Sequence, residues 1–248
     1  MTDLRARVRA GERLTGCFVK TPSPQVVELL GMAGMDFVVA DREHAPIGTG
    51  ALDLMALAGR AVGLPLLIRS RTAEAAEIWP ALDMGCSGVM VPHVRTAAEA
   101  RAVAGAMKYA HGRGFSPSGR AGGYGSLPAV DYRRAQDETT VFLAQIEDAA
   151  ALEHLDEIAA VPEVDALFVG PADLSLSLGC AADAPELAAA IGRVTQAAHR
   201  VRKAAGLFVT DPASIAAHAA RGVTVFVCGS DQGLILGGAR RLMAAARA

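Results

Sequence analysis

Four short segments carry side chains capable of acid–base or metal chemistry, each at or after the end of an apolar run: Asp41, Arg42, Glu43 and His44; Arg69; Gln145 and Glu147; and Gly170, Pro171, Ala172 and Asp173. Glu147 and Asp173 are hard oxygen donors. Two carboxylates with open positions suit a divalent cation, Mg2+ or Mn2+, which takes water and substrate oxygens as its other ligands. The plainer reading has Asp173 capping a helix and Glu147 paired with an arginine. His44, in a short turn before Pro46, is a natural general base at neutral pH. Arg69 closes the run PLLIRS, where a guanidinium without an anion would be costly. Its partner is a substrate carboxylate, a developing enolate or an internal carboxylate such as Asp41. His93, after VP, falls at a comparable place, whereas His111, His154, His199 and His218 read as surface residues.

The elements that must hold these residues are legible as apolar, β-rich runs alternating with Ala-rich helical stretches, the pattern of an α/β protein with a parallel sheet. Eight runs are expected as strands: 15–20, 37–41, 65–70, 88–92, 141–147, 166–170, 206–209 and 223–229. Eight βα units in 248 residues predict a single (β/α)8 TIM barrel spanning 1–248, with its chemistry at the C-terminal ends of the strands. A doubly wound sheet would want a GxGxxG turn after the first strand, where the chain instead reads TPSPQVVELL. The stretch 111–128 is too rich in Gly and Pro for a regular element and is expected as a spacer or interface loop. Its Arg113 and Arg120 are expected as solvated charges, unless the loop reaches a neighbouring subunit's site and they clamp an anion there.

Composition narrows the partners. Lys plus Arg at 24 against Asp plus Glu at 26 gives a net charge of -2, without the basic excess that nucleic-acid binders need. Cys17, Cys86, Cys180 and Cys228 are too dispersed for a zinc ribbon or a disulfide scaffold. The charged N-terminal stretch has no apolar core, and no apolar run is long enough to span a bilayer, so a cytoplasmic protein without membrane contact is expected.

The segments DREHAP (41–46), IR (68–69), LDMG (82–85), VP (91–92), QIE (145–147) and FVGPADLSLSLG (168–179) together resemble the HpcH/HpaI aldolase family, the class II, metal-dependent pyruvate aldolases. The resemblance runs through nearly the whole chain and implies the same barrel. It implies reversible retro-aldol cleavage of a 4-hydroxy-2-oxo acid, either a dicarboxylate or a 2-keto-3-deoxy sugar acid, to pyruvate and an aldehyde. The implied cofactor is Mg2+ or Mn2+, with Co2+ a further possibility, held by Glu147 and Asp173. His44 is implied as proton acceptor, Arg69 as transition-state stabiliser, Gln145 and the backbone at Ala172 as 2-oxo acid contacts, and Asp83 as the group that raises the basicity of His44. Asp83 precedes the fourth strand, at the wrong end of its own barrel. Either a neighbouring subunit supplies it, in keeping with the implied homohexamer, or the element boundary lies elsewhere.

Two positions depart from the family pattern: Arg42 stands where Gly is usual, and His93 where an apolar residue is common. Other chemistries stay open. A Schiff-base aldolase would need a strand-end lysine, and Lys20, which ends the first strand, is read as solvent-facing. A citrate-synthase-like condensation or an acyl-CoA lyase would use the same enolate. CGSDQG (228–233) opens a helix after the last strand, as phosphate sites of barrels do. A non-catalytic small-molecule-binding barrel is the reading from another class.

Overall fold

The structure, a computed structural model, describes residues 3–248. Eight strands, β1 (Leu14–Val19), β2 (Phe37–Asp41), β3 (Leu66–Arg69), β4 (Gly88–Val91), β5 (Val141–Ile146), β6 (Ala166–Val169), β7 (Ala204–Val209) and β8 (Val225–Ser230), pair in parallel and in chain order. β8 returns to β1 and closes the barrel. The helices are α1 (Leu4–Arg9), α2 (Pro24–Met32), α3 (Thr49–Val62), α4 (Ala75–Asp83), α5 (Ala97–Met107), α6 (Ala129–Thr139), α7 (Leu155–Ala159), α8 (Pro171–Leu178), α9 (Pro185–Arg200), α10 (Ile215–Ala219) and α11 (Asp231–Arg247).

Successive side chains of a strand point to opposite faces, and here the two faces form two separate cores. Phe37, Val39, Leu67, Met90, Leu143, Phe168, Val225 and Val227 fill the barrel interior. The intervening residues, among them Val38, Ile68, Val89, Ala144, Leu167 and Phe226, pack outward against the helices. Continued by one or two residues past the apolar part, the inward series reaches Lys20 on β1, Asp41 on β2, Arg69 on β3, Gln145 and Glu147 on β5, Gly170 on β6 and Thr210 on β7. One rule of alternation thus delivers six functional side chains, and the backbone at Gly170, to a single mouth. The other end is closed by α1, whose Leu4 and Val8 enter the interior core. There Arg5 donates from Nε to both oxygens of the buried Asp165 (2.9 and 3.0 Å).

Two expectations change. β7 starts at Ala204, not Gly206, because pairing of Ala204 with Ala166 overrides the helical preference of the preceding alanines. In the 111–128 stretch the arginines are not solvated. The Arg113 guanidinium is fully buried, stacks on Tyr109 and donates from Nη2 to Asp83 Oδ1 at 2.5 Å. Arg120 Nη2 donates to both oxygens of Asp53 at 2.7 Å. The loop is thus tied by two part-buried ion pairs to Asp53 of α3 and Asp83 of α4.

Helix α11 does not pack along the barrel. Asp231 is its one buried residue, and Leu234, Ile235, Leu236, Leu242 and Met243 are exposed. No helix among the described residues is long and apolar enough to cross a membrane.

Candidate active site

Asp41 organises the mouth. It is fully buried and accepts from Arg69 Nε on Oδ1 (3.1 Å) and from Nη2 on Oδ2 (2.7 Å). Its Oδ1 also accepts the backbone N–H groups of Glu43 (3.1 Å) and His44 (3.0 Å), which folds the chain after β2 into a tight turn. Burial pushes the Asp41 carboxyl upward, but Arg69, the His44 N–H and Lys20 outweigh it and hold it below the usual carboxylate range. The internal partner considered for Arg69 is therefore present. The guanidinium also lies 3.3 Å from Glu43 and 4.4 Å over the Phe18 ring, so it is locked on three sides before any substrate arrives. His44 is half exposed at the tip of the turn.

Arg42 braces the same turn from beneath. It is buried, donates from Nε to the Ile47 carbonyl (3.4 Å) and sits 3.3 Å from Glu77 on α4, which also accepts from Arg71 (3.0 Å).

Glu147 is the second centre. It pairs with no arginine: Oε1 accepts the backbone N–H of His93 at 2.9 Å, and Oε2 accepts from Gln145 Nε2. His93 reaches this position with φ of 54°, a left-handed conformation that costs a side-chain-bearing residue about 1 kcal/mol. Its ring lies 3.0 Å from Asp148, 3.6 Å from Glu147 and 3.9 Å from Glu43. Burial alone would lower the His93 pKa, but Asp148, Glu147 and Glu43 raise it above the ordinary value. Burial pushes the Glu147 carboxyl up to about 7, and the charges of Glu43 and Asp173 add to the rise. Asp173, in the first turn of α8, makes no capping bond; Gly170 is the N-cap. Neither plain alternative for the two carboxylates is what the residues do.

This donor set fits a divalent cation. The Glu147 carboxylate is held up mainly by burial, with Glu43 and Asp173 adding to the rise, Asp173 is exposed, and the buried Gln145 Oε1 has no hydrogen-bond partner among the described residues. Gly170 keeps the space open, since a Cβ there would stand 2.6 Å from Glu147 Oε2 and 2.8 Å from Gln145 Nε2. Among the described residues no group of three His, Cys, Asp or Glu side chains is arranged to hold a metal ion by itself.

Arg69, His44, Gln145 and the Gly170–Asp173 turn are among the residues that line a cavity of about 700 Å³. Over residues 14–237 the chain matches the HpcH/HpaI aldolase/citrate lyase family. It belongs to that family. It is a carbon–carbon lyase of the aldolase type. The chain is 32% identical to a hydroxypyruvate/pyruvate aldolase of Rhizorhabdus wittichii over the full length of both proteins. It is 35% identical to a 5-keto-4-deoxy-D-glucarate aldolase of Citrobacter koseri, over 96% of this chain and 93% of that one. An HpcH/HpaI-family structure from Burkholderia cenocepacia superposes with a TM-score of 0.94 at 28% identity, covering all of both chains. The citrate synthase SbnG superposes at 0.88 with 26% identity, over 98% of this chain and 97% of that one.

On this HpcH/HpaI barrel, six of the residues singled out from the sequence, His44, Arg69, Gln145, Glu147, Ala172 and Asp173, meet at one mouth. Asp83 does not. It is the last residue of α4, at the opposite face, with Arg113 as its partner. The structure adds Asp148, which the sequence did not single out, and gives roles to two residues that it did: Asp148 and Glu43 face the His93 ring, and the His93 backbone holds Glu147. Lys20 is not solvent-facing: it lines the cavity 3.3 Å from Asp41. Its place two residues beyond the inward Phe18 was the available signal.

Proposed function

We propose that this HpcH/HpaI-family lyase cleaves a 4-hydroxy-2-oxo acid reversibly to pyruvate and an aldehyde, using a divalent cation, Mg2+ or Mn2+ with Co2+ as a further candidate. The observation that carries the reading is the pairing of a fixed, buried Arg69 with the carboxylates Glu147 and Asp173 at one end of the cavity. Glu147 and Asp173 would hold the cation, which when bound supplies a Lewis acid for the 2-oxo acid. The chain's own groups do the rest. Gln145 Nε2 and the backbone N–H at Ala172, in the first turn of α8, donate to the oxo acid and orient it. Arg69 stabilises the negative charge that grows on the keto oxygen as the bond between C3 and C4 breaks. It needs no reorganisation, because Asp41, Glu43 and Phe18 already hold it. His44 accepts the proton of the C4 hydroxyl at its ring nitrogen.

Asp83 acts, in this reading, on His44 of a neighbouring copy within a homohexamer. Its position at the opposite face and the uncovered apolar side of α11 support association with further copies. Residues 1–248 function as one catalytic domain. The four free thiols support a cytoplasmic setting.

The test is pyruvate release from a panel of 4-hydroxy-2-oxo acids, coupled to lactate dehydrogenase, with EDTA and then with Mg2+ or Mn2+ restored. Turnover that EDTA abolishes and metal restores is expected, together with loss of turnover in Glu147→Ala and His44→Ala. No pyruvate from any substrate by folded, metal-supplemented protein would overturn the reading. The likeness to SbnG favours one second reading, an enolate condensation run in the forward direction, which citrate formation from oxaloacetate and acetyl-CoA would reveal.

A further inference from the structure

A second cavity lies outside the barrel. The outward residues of β7, Leu207 and Val209, are covered by the sixteen-residue α9 on one side, but α10, on the other, has only five residues. The helix layer is thin there, and a slot of about 500 Å³ remains between the two helices. Positions 187, 188, 191, 192 and 195 of α9 line it, the spacing of a single helix face, over an axial length of about 12 Å. Its floor, Leu207, Val209 and Val223, is apolar and buried.

Two features say what the slot takes. Gly192 stands in mid-helix, where glycine is unfavourable, yet a Cβ there would meet nothing within 4 Å. Close packing does not demand this glycine; the missing side chain keeps the slot open. The second feature is charge. His218, in the last turn of α10, and Arg221, just beyond it, both line the slot. Burial, and then the nearby Arg221 charge, hold the His218 pKa below its ordinary value. Neither side chain has a hydrogen-bond or ion-pair partner among the described residues. The carboxylates of the slot lie at its other, mouth-side end, where Asp183 precedes α9 and Asp211 follows β7 and caps Ala213 (2.9 Å). An anion therefore belongs at the Arg221 end, with an apolar body running up the slot.

We propose that this slot binds a straight-chain aliphatic monocarboxylate, with its carboxylate on Arg221 and His218 and its chain between Leu187, Ile191 and Val209. A small inorganic anion would leave the apolar walls wet, and an uncharged chain would leave the guanidinium unpaired. The site is separate from the one at the mouth. The two cavities share only Pro171, Ala172, Phe208 and Thr210, and the anion end lies in the turn before β8, at the opposite face.

The test is calorimetry with octanoate, octanol and inorganic phosphate on wild type, Arg221→Gln and Gly192→Phe. Wild type is expected to bind octanoate at least about tenfold more tightly than octanol, and phosphate not measurably. Arg221→Gln is expected to lose about tenfold for octanoate and nothing for octanol. Gly192→Phe, whose ring would take up the slot, is expected to lose both. Arg221 is exposed, so its replacement decides the matter even if Gly192→Phe does not fold. Octanoate that binds wild type and Arg221→Gln equally, or no more tightly than octanol, would overturn the proposal. So would the absence of octanoate binding, which is the outcome if another copy of the chain fills the slot.

Discussion

Gly170→Ala separates the geometry of the carboxylate site from the stability of the barrel. Gly170 has φ -94° and ψ 92°, so alanine fits the backbone without strain. The whole effect comes from the added Cβ. It would lie 2.6 Å from Glu147 Oε2, 2.8 Å from Gln145 Nε2 and 3.3 Å from Glu147 Cβ. Ordinary contact requires each to withdraw by roughly 1 Å. Both are ends of flexible side chains, so overpacking costs at most about 1–3 kcal/mol. They cannot withdraw and keep their function, however, because Glu147 Oε1 is tied to the His93 N–H and Gln145 lies at 2% exposure. A displacement of this size in a positioned group costs about 100-fold in rate. The expected outcome is a folded variant with kcat/KM for pyruvate release down about 100-fold and Mn2+ affinity, read by electron paramagnetic resonance without turnover, lowered as well. Gly206→Ala is the control: its Cβ would strike the Phe168 ring, costing stability in the barrel interior while leaving the carboxylates in place. Wild-type turnover and Mn2+ affinity in folded Gly170→Ala would show that Glu147 and Gln145 do not hold the reacting groups.

Asp41→Asn leaves Arg69 buried with Glu43 as its remaining anion, and urea unfolding is expected to show a loss of about 3–5 kcal/mol; a loss under about 1 kcal/mol would mean that the mouth does not depend on this pair. Arg42→Ala removes the brace beneath the His44 turn and is expected to lower kcat more than it raises KM, with partial rescue by Arg42→Lys; an unchanged kcat would make Arg42 a purely structural substitute for the usual glycine. Stability is expected to rise from about pH 7.5 to about pH 8.5. Burial lowers Lys108 to about 7 and Lys203 to about 8, so across this window the folded chain binds fewer protons than the unfolded one, in which both lysines stay charged. A flat or falling urea midpoint over that range would contradict the burial of these ammonium groups.

The barrel was legible because apolar β-runs and Ala-rich helices alternate along the whole chain. β2 ends at Asp41, where the sequence put it, since a buried apolar strand stops at its first charged residue. The strand-end polar residues were legible for the same reason. What the sequence hid were partners distant along the chain. Nothing in HGRGFSPSGR announces that Arg113 will be sheathed by Tyr109 and Asp83, because Asp83 lies thirty residues away on another element. Nor does VPH reveal that the His93 backbone turns left-handed to hold Glu147, 54 residues on. Lys20 went unnoticed for a different reason. As a Schiff-base candidate it reads as a solvent-facing strand end, while its register, two residues after an inward phenylalanine, commits it to the cavity.

The same register logic bears on Asp83. In a βα unit the strand ends at the mouth and the following helix runs back, so the C-terminal end of every such helix lies at the opposite face. Asp83 closes α4, and Arg113 holds it there. No shift of a helix boundary by one or two residues moves it to the mouth of its own barrel. If Asp83 tunes His44 at all, the imidazole belongs to another copy, and the isolated protomer holds His44 without the carboxylate that raises its basicity. Dilution below the dissociation range should then lower kcat while leaving Mn2+ affinity intact, because Glu147 and Asp173 come from a single chain.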